Sequence, residues 1–144
     1  MATINKFEDF EVWILARELS RMIYFLSSKG EFSRDLALKD QIRSSSGSAM
    51  DNIAEGFGRG GNKEFVLFLG YSNGSACETK SQLIRAKDNN YISQEEYDNA
   101  EKLANELINK LVSLMAYLNK SSYKGQKFKG RSDSKFKLNN QTKN

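Results

Sequence analysis

The chain has 144 residues, with no histidine, no proline, a single cysteine and a formal net charge of +4. The absence of histidine excludes Ser-His triads and His-metal sites, and one cysteine excludes an intramolecular disulfide or a multi-cysteine metal cluster. The charge is uneven. Residues 1–118 carry 14 Lys and Arg against 17 Asp and Glu, whereas residues 119–144 carry eight against one. These counts predict a mildly acidic folded domain at 1–118 and a basic tail at 119–144.

Two segments with helical periodicity occupy the first half of the chain, from about Phe7 to Ser28 and from about Ser33 to Phe57. Ser33 is the predicted N-cap of the second segment and Asp35 lies in its first turn, because both residue types favour a helix start. Apolar or small residues recur at spacings of three and four, which predicts one buried face per helix. These positions are Val12, Leu15, Leu19, Met22 and Leu26 in the first segment, and Leu38, Ile42, Ser45, Ala49 and Ile53 in the second.

Two further periodic segments follow. The third runs from about Lys63 to Asp88, with Asn62 as its predicted N-cap, and the fourth from about Gln94 to Leu118. The fourth begins with Ser93 and Glu96, three residues apart, the spacing of a capping box. Their buried faces are Phe65, Leu69, Ser72, Ala76, Thr79, Leu83 and Ala86, then Tyr97, Ala100, Ala104, Leu107, Leu111, Leu114 and Leu118.

The connections between these segments are short, at residues 29–32, 58–61 and 89–92. Short connections place consecutive helices antiparallel, so the sequence predicts an all-α, up-down-up-down four-helix bundle followed by a basic, disordered C-terminal tail. The fourth helix carries a second apolar set (Leu103, Ile108, Val112 and Met115). An apolar face this wide is compatible with a large core or with burial against a second subunit. We expect self-association.

Four glycines lie between the second and third segments, at Gly56, Gly58, Gly60 and Gly61. A phosphate-binding loop needs a preceding strand and usually Gly-Lys-Ser/Thr, whereas here a helix precedes and Asn62-Lys63 follows. The glycines instead indicate a turn between two helices. Gly56 and Gly58 are expected to close the second helix in the left-handed conformation.

Polar side chains with helical spacing occur on the second and third segments. We predict a structural hydrogen-bonded network between these helices, formed by Asn52, Glu55, Arg59 and Glu78. Two carboxylates in a bundle are also compatible with a di-metal site or with acid–base catalysis. However, the usual di-iron pattern is Glu-x-x-His, and the chain has no histidine. We therefore expect no metal, no cofactor and no catalytic residue.

The run Asn-Ile-Ala-Glu-Gly at 52–56, with Gly58 and Arg59 after it and Gly-Ser-x-x-Glu at 74–78, resembles a known family. This is the family of four-helix bundle proteins named for the 23S rRNA intervening sequences that encode some members. The resemblance covers about residues 7–118. The family usually has proline where this chain has Met50, and another before the second helix, so the family's proline kink is not expected here.

The resemblance implies a bacterial, cytoplasmic homo-oligomer, typically a pentameric ring, with no known catalysis. A related branch, the accessory variability proteins of diversity-generating retroelements, binds RNA and a reverse transcriptase. RNA binding by this chain is therefore an expectation by analogy.

Two functions remain open. The first is nucleic-acid binding, with RNA expected rather than DNA, because Lys-Phe-Lys occurs twice in the tail and such residues neutralise phosphates and stack on unpaired bases. The candidate residues are Lys124, Lys127, Phe128, Lys129, Arg131, Lys135, Phe136 and Lys137 in the tail, with Arg17, Arg21, Arg43 and Lys63 on the folded part. The second is a structural adaptor or scaffold that binds a protein partner and whose tail only aids solubility. In neither case do we expect an enzyme. We also do not expect a membrane protein, since no apolar run approaches the roughly 18 residues needed to span a bilayer.

Overall fold

The structure is a computed structural model that describes residues 3–127 and 136–137. A 3-10 turn at Phe7–Asp9 precedes the first helix, and a two-residue strand near the N-terminus pairs antiparallel with one near the C-terminus. The helices are α1 (Glu11–Ser27), α2 (Gly30–Arg34), α3 (Leu36–Gly58), α4 (Asn62–Asp88) and α5 (Gln94–Lys127). The strands are β1 (Thr3–Ile4) and β2 (Phe136–Lys137).

The four long helices form a bundle in which α1 packs on α3, α3 on α4, α4 on α5, and α5 back on α1. Helices α1 and α5 are antiparallel. Lys29, just after the end of α1, pairs with Glu96 in the first turn of α5, with Nζ and Oε2 2.9 Å apart. Glu11, at the start of α1, pairs with Lys110 far along α5, at 3.6 Å. The predicted four-helix bundle is thus confirmed.

The core lies along the predicted apolar faces. The fully buried side chains include Leu19, Ile23, Ile42, Ile53, Leu69, Leu83, Leu107 and Leu111. Phe10, Phe32 and Phe65 close the ends of the bundle and are also fully buried. Burial of a side chain of this size stabilises the fold by about 1.5–3 kcal/mol, so the spacing of apolar residues dominates the choice of fold.

The start of α3 differs from the prediction. Ser33 lies inside the short helix α2, and Asp35 is the N-cap, because its Oδ1 accepts a hydrogen bond from the backbone N–H of Leu38 at 3.1 Å. The other carboxylate oxygen accepts a hydrogen bond from the hydroxyl of Tyr91 at 2.9 Å. The bond from Leu38, followed by that from Tyr91, lowers the pKa of Asp35. Asp35 thereby ties the α3 start to the α4–α5 turn.

The predicted capping box at the start of α5 is confirmed. The backbone N–H of Glu96 donates to Ser93 Oγ at 3.1 Å, and the backbone N–H of Ser93 donates to Glu96 Oε1 at 2.8 Å. By contrast, Asn62 is the first residue of α4 and Gly61 occupies the N-cap position, without a side-chain hydrogen bond.

The glycines between α3 and α4 act differently from the prediction. Gly56 is not at the end of the helix, since α3 continues through Gly58, and Gly60 alone of the four has a left-handed backbone, with φ of +91°. Gly56 is buried, and a Cβ atom there would lie 2.5 Å from Phe68 Cβ. Its lack of a side chain therefore allows α4 to approach α3.

Candidate nucleic-acid interface

Helix α5 extends to Lys127, nine residues beyond its expected end at Leu118, and its charge changes along its length. Residues 94–106 carry five acids and one lysine, whereas residues 107–127 carry four lysines and no acid. Lys120, Lys124 and Lys127 are spaced by four and three residues in the sequence of this helix. The helix dipole favours basic side chains only in the last turn of a helix. Lys120 lies about two turns before the end of α5, so the dipole does not account for its position.

The remaining predicted tail residues fall into two groups. Phe136 and Lys137 form β2, where they pair with Ile4 and Thr3 of β1. Phe128, Lys129, Arg131 and Lys135 lie outside the described residues, as does most of the segment for which disorder was predicted.

The predicted basic residues of the bundle do not all lie together. Arg17 and Arg21 are exposed and one turn apart on α1, with the Arg17 guanidinium 5.8 Å from the centroid of the Trp13 ring. Arg43 lies on α3 against the end of α1. Lys63 is exposed in the first turn of α4, at the opposite end of α3 from Arg43.

The Arg43 side chain joins α3 to the end of α1. Its guanidinium carbon lies 3.9 Å from the centroid of the Tyr24 ring. Nε donates to Ser27 Oγ at 2.8 Å, and Nη2 donates to Ser28 Oγ at 2.9 Å and to the Tyr24 carbonyl at 3.4 Å. Arg43 therefore satisfies polar groups at the C-terminus of α1, where backbone carbonyls have no partner within the helix.

Hydroxyl groups connect α3 and α4 within the core. Ser45 Oγ lies 2.8 Å from Thr79 Oγ1 and donates to Gln82 Oε1 at 2.6 Å, and all three residues are buried. Ser72 Oγ donates to the carbonyl of Ala49 at 2.6 Å. Small side chains at these positions let the two backbones approach closely, and each buried hydroxyl is satisfied, as burial requires.

The four residues predicted to form the interhelical network have different positions. Asn52 takes part, since its Nδ2 donates to Ser48 Oγ at 2.9 Å and Ser75 of α4 donates to that same hydroxyl at 3.0 Å. Glu55 and Arg59 instead pair with each other on the exposed surface of α3 at 3.1 Å. Glu78 is exposed, because its helical position turns away from the core.

An open groove of about 580 Å³ lies between α3 and α4. Its lining is entirely polar and consists of Asp40, Gln41, Ser44, Glu78, Ser81, Gln82 and Arg85. Within residues 3–127 and 136–137, no group of three or more His, Cys, Asp or Glu side chains is placed to hold a metal ion. No helix among the described residues is both long and apolar enough to cross a membrane.

The family model of the 23S rRNA-intervening sequence protein matches residues 8–113. The chain belongs to this family. The match includes α1, α3, α4 and the first part of α5, whereas Lys120, Lys124 and Lys127 lie beyond the matched residues of this 23S rRNA-intervening sequence family member.

A solved structure supports the same fold. It is the crystal structure of a protein with unknown function from the S23 ribosomal protein family of Bacteroides thetaiotaomicron, with a TM-score of 0.66 and 22% sequence identity. The match covers 72% of this chain and 97% of that chain. At this identity the similarity shows the fold alone. No curated protein matches the chain significantly.

Proposed function

We propose that this family member is a non-enzymatic, self-associating bundle of the bacterial cytoplasm that binds RNA through the basic end of α5 and the residues after it. The observation that carries the proposal is the run of residues 111–127, which holds Lys120, Lys124 and Lys127 and no acid within one helix, whereas Lys110 just before it is paired with Glu11. Lysines without nearby acids on the same segment neutralise phosphates and release counterions.

RNA is favoured over duplex DNA because aromatic residues alternate with lysines in the sequence that follows α5. Phe128 and Phe136 each stand between two lysines. Aromatic rings stack on unpaired bases, which single-stranded regions of RNA expose and a duplex does not. A non-enzymatic role is supported by the absence of histidine, the residue that most often serves as a general acid or base.

Self-association is supported by large apolar side chains that the bundle leaves in water. Leu67 and Ile84 on α4 are 48% and 46% exposed, and Val112 on the neighbouring helix α5 is 51% exposed. We call these three residues the α4–α5 apolar residues. Leu67 and Ile84 are about 25 Å apart along α4, so they are separate exposed positions and not one continuous patch. They also suit the second candidate function, an adaptor, if a different protein rather than another copy covers them.

The RNA proposal is tested by fluorescence anisotropy with a labelled single-stranded RNA across a range of salt concentrations. The full-length variant Lys120→Gln, Lys124→Gln, Lys127→Gln should bind more weakly, and its log–log salt slope should be shallower by about 2, at roughly 0.7 for each lost phosphate contact. The matched control replaces Lys80, Lys87 and Lys102, elsewhere on α4 and α5, by glutamine and should bind as the wild type does.

Two results would contradict the proposal. If the two triple variants lose equal affinity, the effect is one of net charge and the end of α5 is not the contact. If the wild-type protein fails to bind at low salt, RNA binding is wrong and the adaptor function becomes the one to pursue.

A further inference from the structure

Aromatic and basic residues also follow one another along α1, on a different helix from the basic end of α5. Trp13, Arg17, Arg21 and Tyr24 are spaced by four, four and three residues, which places them on one side of the helix over about 17 Å. We call these four residues the α1 stripe. Arg17 and Arg21 are exposed, and Trp13 lies beside Arg17.

Tyr24 has an unusual setting at the end of this stripe. Its side chain is 62% exposed, yet the Arg43 guanidinium covers one ring face at 3.9 Å. Three hydrogen bonds from Arg43 to the last turn of α1 fix that guanidinium in place. The exposure of Tyr24 therefore belongs to the opposite ring face and the ring edge.

Two arginines flank the Tyr24 ring. Arg21 lies one turn before it on α1, and Arg43 lies against it from α3. The acids nearest to them on the same helices are Glu18 on α1 and Asp40 on α3, each one turn further from the ring in the sequence. A flat ring with a fixed cation on one face and the exposed Arg21 nearby suits a ligand that is both planar and anionic.

We propose that the α1 stripe is a second contact for single-stranded RNA, at which an unpaired base stacks on the open face of Tyr24 and Arg17 and Arg21 neutralise adjacent phosphates. This inference rests on the proposed function, that the protein binds RNA. Arg43 acts as a positioning residue, because it orients the Tyr24 ring and is itself held by the end of α1.

The experiment measures binding of the full-length protein to a labelled 20-nucleotide oligoadenylate. Tyr24→Leu should weaken binding about tenfold, the effect of one stacked base, and should leave the salt slope unchanged because stacking involves no counterions. Tyr24→Phe keeps the ring and should bind as the wild type does. Arg17→Gln with Arg21→Gln should instead make the slope shallower by about 1.4, at 0.7 for each phosphate.

Tyr71→Leu is the matched control. Tyr71 is 52% exposed on α4, where its ring packs edge-on against Phe68. Helix α4 lies diagonally across the bundle from α1, since each packs on α3 and on α5. The control variant should bind RNA normally, and circular dichroism should show that both leucine variants fold.

Each alternative result overturns the inference in a distinct way. If Tyr24→Leu binds normally while the variant at Lys120, Lys124 and Lys127 is weakened, the α1 stripe is not a contact but the proposed function stands. If Tyr24→Phe is as weak as Tyr24→Leu, or Tyr71→Leu is equally weak, stacking on Tyr24 is wrong. If the wild-type protein binds no RNA, the inference and the proposed function are both wrong.

Discussion

Gly56 and Gly47 show that two glycines within one helix can have different physical roles. A Cβ at Gly56 would lie 2.5 Å from Phe68 Cβ and 3.1 Å from Phe65 Cδ1, whereas a Cβ at Gly47 would meet nothing within 4 Å. At position 47, glycine only makes helix formation less favourable than alanine would, by about 1 kcal/mol. Glycine at Gly56 permits the close packing of α3 on α4.

We therefore predict that alanine has opposite effects at these two positions. Gly56→Ala should lower the free energy of unfolding by about 1–2 kcal/mol, because the added methyl group overpacks the contact with Phe68. Gly47→Ala should raise it by about 0.5–1 kcal/mol. Urea unfolding followed by circular dichroism measures both values. If Gly56→Ala is also stabilising, the phenylalanine side chains can move away, and the close approach does not require glycine.

The side chains of the candidate sites were only partly predictable from the sequence. Arg17 and Arg21 are one turn apart in the sequence, and adding three residues reaches Tyr24, so the α1 stripe could have been found from spacing. The stacking of Arg43 on Tyr24 could not, because it depends on how α1 and α3 are rotated against each other. The rotation of α3 and α4 against each other likewise turns Glu55 and Glu78 outward and brings Ser45 and Thr79 together instead.

At the scale of the element, apolar spacing predicted all four long helices, whereas helix ends depended on tertiary contacts. Ser33 and Asp35 are both good N-cap residues and lie only two positions apart. Asp35 is the cap in the structure, where it also accepts a hydrogen bond from Tyr91, a residue 56 positions away. The Ser93 and Glu96 capping box was predictable because both partners lie within one turn of chain.

The capping box predicts a dependence of stability on acid pH. The backbone N–H of Ser93, followed by the ammonium group of Lys29, lowers the pKa of Glu96 below its ordinary value of 4.5. The folded state therefore favours the carboxylate. The resulting stabilisation is complete above about pH 4.5 and is lost as the pH falls through the lowered pKa.

Glu96→Gln should lower the free energy of unfolding by about 0.5 kcal/mol at pH 7, a small value because the ion pair with Lys29 is partly exposed. The difference from the wild type should shrink as the pH falls from 7 to 3, because a growing fraction of the wild-type carboxyl groups is then protonated. Urea unfolding at both pH values measures this. Glu106→Gln, on the exposed middle of α5, is the control and should show no difference. A difference that is as large at pH 3 as at pH 7 would indicate a packing effect rather than a charge effect.

At the scale of the whole molecule, large apolar side chains are exposed on several helices. The α4–α5 apolar residues Leu67, Ile84 and Val112 lie on helices that pack together, whereas Ile14 and Phe25 on α1 and Leu36 on α3 are 43%, 61% and 65% exposed. Scattered exposed apolar residues are normal on a protein surface, whereas a continuous patch marks an interface. Self-association, expected from the wide apolar face of the fourth helix, stays a prediction, and charge substitutions at these positions test it.

Charge substitutions can locate the interface between copies. If that interface covers the α4–α5 apolar residues, Leu67→Glu with Ile84→Glu would bury unpaired carboxylates between subunits, at a cost of about 3 kcal/mol or more and thus a loss of association of at least about 100-fold. Light scattering coupled to size exclusion should then show a lower mass than for the wild type, with unchanged helix content. Ile14→Glu with Leu36→Glu adds the same charge elsewhere and should keep the wild-type mass. A monomeric wild type would rule out self-association, whereas dissociation in the control alone would place the interface on α1 and α3 instead. The distinction bears on the proposed RNA binding as well, because copies that joined through α4 and α5 would leave the α1 stripe of each subunit open, and avidity would then raise the affinity for RNA.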